Sequence, residues 1–404
     1  MTVKFDYAGL PFGEDEAGKA LLDRRFPSKL NTRFLTDVTL TPGAEKCVPA
    51  NLPENLWGEV FDAKGLLIRN VNPGVVYNDL GEEKGISPFK ASKQIEKAIF
   101  LGSMPSVWGH YITDGLSKAW FFDTEECSRL IKEGYVFLWT GLWGDASPNV
   151  PEHLARLYEL LGVDRKLLIA VNEVTRVEQL CIPDNSLYNT PDGRLFTDEF
   201  TSVVKKLIDS VPEQDRKFPD KIFLSRARFK NSHAEFGEND ISRLFKKAGF
   251  TIVYPEKLSV EEQIDLYRNA KQFVATEGSV AHNSIFCSAG TEVTIIRKAH
   301  YTNDYQYVIN QIGDLDVTYV DSHLSVFTTN QPNMGPFFLY VDDNLVRLFK
   351  DRYGIEVRNS FSKLKFWNYV RIVLKKPDFY IRMQNPLPPY YYKKMVSELR
   401  RTRF

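Results

Sequence analysis

The sequence predicts an α/β protein made of two parallel-sheet halves that face each other across a cleft. Three observations carry that prediction. The chain has 404 residues, beyond the size at which one hydrophobic core usually stops growing. Strand-like and helix-like segments alternate regularly in two successive series. A polar, proline-containing stretch, VPEQDRKFPDK (211–221), follows the first helix of the second series and reads as a linker or loop. The expected organisation is an α/β domain over 1–200 with an irregular N-terminal extension, a second Rossmann-like domain over 201–350, and a basic aromatic tail with helices over 351–404.

Residues 1 to about 95 are rich in Pro and Gly, with short strand-like pieces in GLLIRN and GVVYND. QIEKAIFLG then reads as a strand. GHYITDGLSKAWFF follows as a helix, because Tyr111, Ile112, Leu116, Ala119 and Trp120 recur at helical spacing. YVFLWTGL is a strand, PEHLARLYELLG a helix and KLLIAVN a strand. The second series opens with the amphipathic helix TDEFTSVVKKLIDSV. KIFLSR is a strand, GENDISRLFKKAG a helix ending in Gly249, and FTIVYPE a strand. SVEEQIDLYRNA is a helix with Ser259 as N-cap and Glu262 at the capping-box spacing. KQFVATEGS is a strand and turn, VAHNSIFCS a helix, TEVTIIRK a strand, and LDVTYVD another.

Composition bounds the function. Hydrophobic residues make up 43% and charged residues 26% of the chain, the range of a globular protein. Lys plus Arg and Asp plus Glu both number 52, so the balance gives no ground for a nucleic-acid partner. The four cysteines show no CxxC pairing, which fits a reducing compartment. The N-terminus lacks the apolar core of a signal peptide, and no run reaches the length of a membrane helix. A cytoplasmic protein is expected. Charge is uneven, however. From Lys363 to Phe404 there are eleven Lys or Arg against Asp378 and Glu398, interleaved with aromatic residues. Such a tail suits peripheral contact with an anionic membrane. The alternative is a solvated final helix packed on the body.

The chemistry concentrates at strand ends. In FLSRARFKNS, Arg226 and Arg228 follow a strand directly and suit a forked clamp on a pyrophosphate; a surface pair bonded to nearby carboxylates is the plain alternative. Glu256 closes another strand and could accept from a base or ribose, while Gln263 reads as a structural bond to a loop. In FVATEGSVAHNSIF, an apolar strand breaks into Glu277, Gly278 and Ser279 and restarts as a helix. A turn of that kind offers unpartnered N–H groups to an anion. His282 and Asn283 sit one turn in, facing either the cleft or the core. In the first half, His110 and Asp114 are four apart and share a helix face if both are helical. Asp114 could orient His110 for proton abstraction from a hydroxyl; a structural staple is the other reading. No GxxxxGK[ST], HExxH or GxSxG is present. Asp314–Leu315–Asp316 is the one near match to DxD, so no metal is expected to hold the donor.

These blocks, in this order and spacing, resemble glycosyltransferase family 61 over roughly residues 95–300. The resemblance implies two Rossmann-like domains of the GT-B architecture. It also implies inverting transfer of a sugar from a nucleotide sugar, as donor substrate, to a hydroxyl of a surface-polysaccharide or lipid-linked acceptor. His110 and Asp114 would be catalytic. Arg226, Arg228, Glu256, Glu277, Gly278, Ser279, His282 and Asn283 would bind the donor, with no metal. The chain departs from eukaryotic members at Glu277, Ser279 and Ile295, and its EGS-x-x-H form looks more like bacterial members that build capsule. A non-catalytic scaffold subunit and a sugar-phosphate transferase stay open as alternatives.

Overall fold

The computed structural model describes residues 1–7, 21–27, 29–49, 56–69, 72, 90–142, 149–190, 193–214, 217–228, 235–299, 303–326, 335–376, 387 and 389–401. The strand-like GVVYND and part of the 211–221 stretch lie outside them. The chain divides into two compact units, Arg24–Pro212 and Met1–Asp23 together with Glu213–Phe404. The boundary therefore falls inside the proline-containing stretch, and the first residues join the C-terminal unit. They do so because strand β1 (Thr2–Tyr7) pairs with a strand more than 300 residues away.

The N-terminal unit holds β2 (Thr32–Leu40), β3 (Val60–Phe61), β4 (Lys93–Pro105), β5 (Val136–Leu142), β6 (Leu168–Ala170) and β7 (Thr175–Pro183) in one sheet, order β3-β2-β7-β4-β5-β6. β7, β4, β5 and β6 are parallel, whereas β2 runs antiparallel to β7 and β3. Strands β8 (Leu187–Thr190) and β9 (Gly193–Phe196) form a separate hairpin. The helices are α1 (Trp108–Tyr111), α2 (Glu125–Lys132), α3 (Glu152–Leu160) and α4 (Asp198–Asp209). α4 buries Phe200, Val203, Val204 and Leu207 on one stripe, as its pattern predicts.

The segment GHYITDGLSKAWFF is not one helix. After α1 the backbone leaves helical geometry at Thr113 (φ −119°, ψ −87°) and continues as short 3-10 turns at Asp114–Leu116 and Ala119–Asp123. Every residue from Tyr111 to Ala119 is buried. With no solvent-facing side, packing rather than amphipathic spacing shapes the backbone there.

The C-terminal unit holds β10 (Lys221–Leu224), β11 (Glu235–Phe236), β12 (Thr251–Val253), β13 (Gln272–Thr276), β14 (Glu292–Arg297), β15 (Asp316–Asp321) and β16 (Phe337–Phe338). The main sheet is wholly parallel, order β1-β15-β14-β13-β10-β12. Its central strands are near-continuous apolar runs because helices cover both faces of such a sheet. The helices are α5 (Glu238–Lys247), α6 (Val260–Asn269), α7 (Asp304–Ile312), α8 (Asp343–Tyr353), α9 (Lys363–Leu374) and α10 (Pro389–Arg401). The capping box at α6 is formed in full: Ser259 Oγ accepts from Glu262 N–H, and Glu262 accepts from Ser259 N–H. α7 was not foreseen, and VAHNSIFCS is a 3-10 segment (Ala281–Phe286), buried throughout, rather than an α-helix.

The basic tail is largely folded onto this unit. Phe366, Tyr369 and Val373 of α9 pack against Phe338, Tyr340 and Phe361. Tyr391 of α10 is 1% exposed. Among the described residues no helix is long and apolar enough to cross a membrane.

Candidate active site

In the N-terminal unit, β4 delivers the chain to α1 and the turn after it. His110 Nδ1 lies 2.5 Å from Asp114 Oδ2. The Asp114 side chain is fully buried, while that of His110 is 29% exposed. The break at Thr113 thus does not separate the pair. Thr113 Oγ donates to Gly109 O at 2.8 Å, and Tyr158 Oη donates to Gly115 O at 2.7 Å, so the backbone on either side of Asp114 is tied down. A carboxylate on Nδ1 fixes that nitrogen as the N–H, which puts the basic lone pair of the neutral ring on Nε2. The arrangement is that of a general base with an orienting acid. Beside it, Trp108 meets His153 edge-on with ring centroids 5.8 Å apart. Lys118, in the same segment, is fully buried and donates to Pro183 O at 2.8 Å. Burial pushes its ammonium down to about 7. It serves to tie this segment to the end of β7.

In the C-terminal unit, the paired residues Leu224, Ala275 and Ile295 align β10, β13 and β14. Two positions on, Arg226, Glu277 and Arg297 stand at the same carboxyl edge of the sheet, and Asp321 pairs in register with Arg297. This is the edge at which open α/β sheets take ligands. Arg226 N–H donates to Glu238 at 2.7 Å, and its guanidinium lies 3.8 Å from Glu235. Glu235 also accepts from Lys298 Nζ at 3.1 Å. One buried carboxylate therefore joins two cations from different strand ends. Burial opposes its charge, but Lys298 and Arg226 outweigh burial and hold Glu235 below the usual carboxylate range. Gly237 positions both acids: its φ is +89°, and a Cβ there would stand 1.8 Å from Leu339 O.

Glu277 is 1% exposed and accepts from Asn303 N–H at 3.3 Å. Burial raises its carboxyl to about 7, against the pull of Arg297 and Lys298. Glu238 is raised to about 7 by burial and by the neighbouring Glu235 charge. Gly278, at φ +107°, makes the turn. Its carbonyl accepts from Ala281 and His282 N–H at 2.8 and 3.2 Å. Ser279 is half-buried. His282 is buried with its ring 5.8 Å from Tyr305, and Asn283 Nδ2 donates to Val280 O at 3.0 Å. The 3-10 segment is too short to act as a helix N-terminus toward an anion, so cations rather than a macrodipole supply the charge here.

Arg228 and Glu256 are placed differently. Arg228 is exposed and stacks on Tyr254 at 4.2 Å, in an open groove of about 700 Å³ that Arg243 and Lys246 also line. Glu256 is exposed in the 3-10 turn after β12. Gln263 bonds to Leu258 O at 3.3 Å and accepts from Tyr267 at 3.2 Å, the structural role expected of it. Sequence reasoning missed Glu235, Arg297, Lys298, Asp321 and His323. The Arg-Lys pair closing TEVTIIRK repeats the strand-then-cation pattern of KIFLSR and could have been read. Glu235 belongs to a short β11 paired with β16 a hundred residues away, which leaves no local signal. Among the described residues, no group of three or more His, Cys, Asp or Glu could hold a metal ion.

Behind the edge lies a second buried network. Asp321 Oδ1 accepts from His323 Nε2 at 3.0 Å and from Tyr391 Oη at 3.2 Å. Ser325 N–H donates to His323 Nδ1 at 3.3 Å, consistent with a neutral ring protonated on Nε2. Burial holds His323 down at about 4. Burial disfavours the charge of Asp321, but Lys394, His323 and Arg297 outweigh it and keep the carboxylate ionised.

A family model, Glycosyltransferase 61, matches residues 108–294. The match begins two residues before His110 and runs past Asn283, so it takes in His110, Asp114, Arg226, Glu235 and Glu277 and ends before Arg297 and Lys298. Residues 108–294 thus carry a glycosyltransferase family 61 region. The protein is a glycosyltransferase, with a sugar donor and a glycan acceptor as its general substrates. No curated protein matches the chain.

Proposed function

We propose that this glycosyltransferase is an inverting, GT-B-type enzyme that transfers a sugar from a nucleotide sugar to a hydroxyl of a surface-polysaccharide or lipid-linked acceptor in a bacterial cytoplasm. The observation that carries the reading is the 2.5 Å His110–Asp114 contact, with the acid buried and the imidazole partly exposed. His110 Nε2 takes the proton of the acceptor hydroxyl as its oxygen attacks the anomeric carbon. The bond to the donor's phosphate oxygen breaks on the opposite face, and the nucleoside diphosphate leaves with the electron pair. Asp114 stabilises the imidazolium that forms. Arg226, with Glu277, Gly278 and Ser279, faces the leaving diphosphate; Arg226 offsets the charge that builds on it, work for which no metal is needed. Lys298, tied to the same Glu235, adds positive potential to that edge. Buried Glu277 is neutral at the lower end of the physiological range and then donates to a phosphate or sugar oxygen rather than repelling it.

The test is a transfer assay in EDTA with a panel of nucleotide sugars. His110→Ala should cut turnover and leave donor binding intact, while Arg226→Ala should weaken donor binding. Turnover unchanged in His110→Ala would remove the base from this account.

A further inference from the structure

The helix α9 presents two faces of different character. Inward go Phe366, Tyr369 and Val373. Outward go Leu364, 82% exposed, Trp367, 53%, and Leu374, 51%. Residues 364, 367, 371 and 374 lie at spacings of three and four, so Arg371 completes a single stripe along the helix. Lys375 follows one position after Leu374, and Lys363 and Lys365 flank the start. Lys365 is engaged with Asp240 at 2.7 Å. From Ser362 to Lys376 the chain carries no acidic residue. Three large apolar side chains held in water on a folded helix are an unfavourable arrangement unless something covers them.

We propose that the outer face of α9 docks this enzyme on an anionic lipid surface. The stripe is convex and needs no complementary groove, which suits a fluid interface. Trp367 belongs at the depth where indole rings favour the headgroup boundary. Its companions Leu364 and Leu374 enter the acyl edge on either side. Arg371 and Lys375 meet anionic headgroups, and the helix itself carries no carboxylate. α10 is less suited to that role, since Tyr391 and Glu398 are buried and Lys394 is paired with Asp342 at 2.8 Å. The docking surface is thus the middle of the basic region and not its final helix. This surface stands apart from the donor chemistry, and its assay needs no turnover, so either idea can fail alone.

The experiment is co-sedimentation of the full chain with vesicles of phosphatidylcholine alone, and of phosphatidylcholine and phosphatidylglycerol in equal parts. Binding to the anionic vesicles should exceed binding to the neutral ones by at least about tenfold and weaken with added salt. The triple variant Leu364→Gln, Trp367→Gln, Leu374→Gln should lose at least about tenfold in partitioning with an unchanged circular-dichroism spectrum, since all three side chains face water. In the wild type, brominated lipid should quench part of the tryptophan emission, and that part should vanish in Trp367→Phe. Wild-type protein that stays off anionic vesicles overturns the proposal and turns the stripe over to a protein partner. Unchanged partitioning of the triple variant, or quenching that persists in Trp367→Phe, also overturns it.

Discussion

The two sheets have the same number of strands and opposite habits. The C-terminal sheet is parallel throughout, its central strands buried on both faces, and its carboxyl edge carries charges that are buried and cross-linked. The N-terminal sheet is parallel across four of its six strands, closed on one side by antiparallel pairings of β2, and its candidate site holds one partly exposed histidine. Buried charges that lean on one another couple stability to binding. The N-terminal candidate site has a single partly exposed histidine on one buried acid, so fewer buried charges depend on it. The difference predicts that substitutions at His110 weigh more on rate and those at the C-terminal edge more on folding.

The largest effect should be on rate. His110→Ala should lower turnover by roughly 10²–10⁴-fold, the usual contribution of a positioned base. Its melting temperature should fall as well, because fully buried Asp114 loses the imidazole contact at its Oδ2. Next comes the C-terminal edge. Lys298→Ala leaves Glu235 buried with one of its two cations gone, and should cost about 3–5 kcal/mol in urea unfolding. Replacing Glu235 and Lys298 together by Gln and Met should cost clearly less than Lys298→Ala alone. If it costs more, the pair is not acting as a compensated buried unit.

A pH effect of intermediate size should belong to the C-terminal unit. Glu277 is raised from the usual carboxylate value to about 7 in the folded protein. Between roughly pH 4.5 and 7 it is protonated when folded and ionised when unfolded. Stability therefore falls as pH rises through that window, by up to roughly 3 kcal/mol from this group. Glu277→Gln should flatten that slope in unfolding titrations run across the window; an unaltered slope would show the carboxyl ionising freely. The smallest effect should come from the α6 capping box, where Ser259→Ala should cost about 1 kcal/mol and leave transfer untouched.

How much of this was legible depends on how local the cause is. β10, β12, β13 and β14 were readable because a parallel strand buried on both faces is an apolar run bounded by turns. The α6 cap was readable because Ser259 and Glu262 are three residues apart. GHYITDGLSKAWFF and VAHNSIFCS misled because burial on all sides removes the polar face that gives periodicity its meaning. Even so, the spacing of His110 and Asp114 found a true contact through the wrong element, since two short turns hold them as close as a helix would. Arg226 and Glu277 were placed at one sheet edge by reading where their strands end, and the strand register puts them there. Glu235 and β1 were not, because their partners come from a hundred and three hundred residues away. The tail's charge was visible in the sequence, but only packing could tell the buried Tyr391 from the exposed Trp367.

The central claim is that the base and the diphosphate site are carried by separate units of one transferase. It is tested most directly by ligand-induced thermal shifts with a panel of nucleoside diphosphates, on wild type, His110→Ala and Arg226→Ala. A nucleoside diphosphate at a hundred times its dissociation constant should stabilise the wild type by about 2.7 kcal/mol. The account predicts the same shift in His110→Ala and its loss in Arg226→Ala. No shift with any nucleoside diphosphate in the wild type, or a shift lost in His110→Ala and kept in Arg226→Ala, would contradict it.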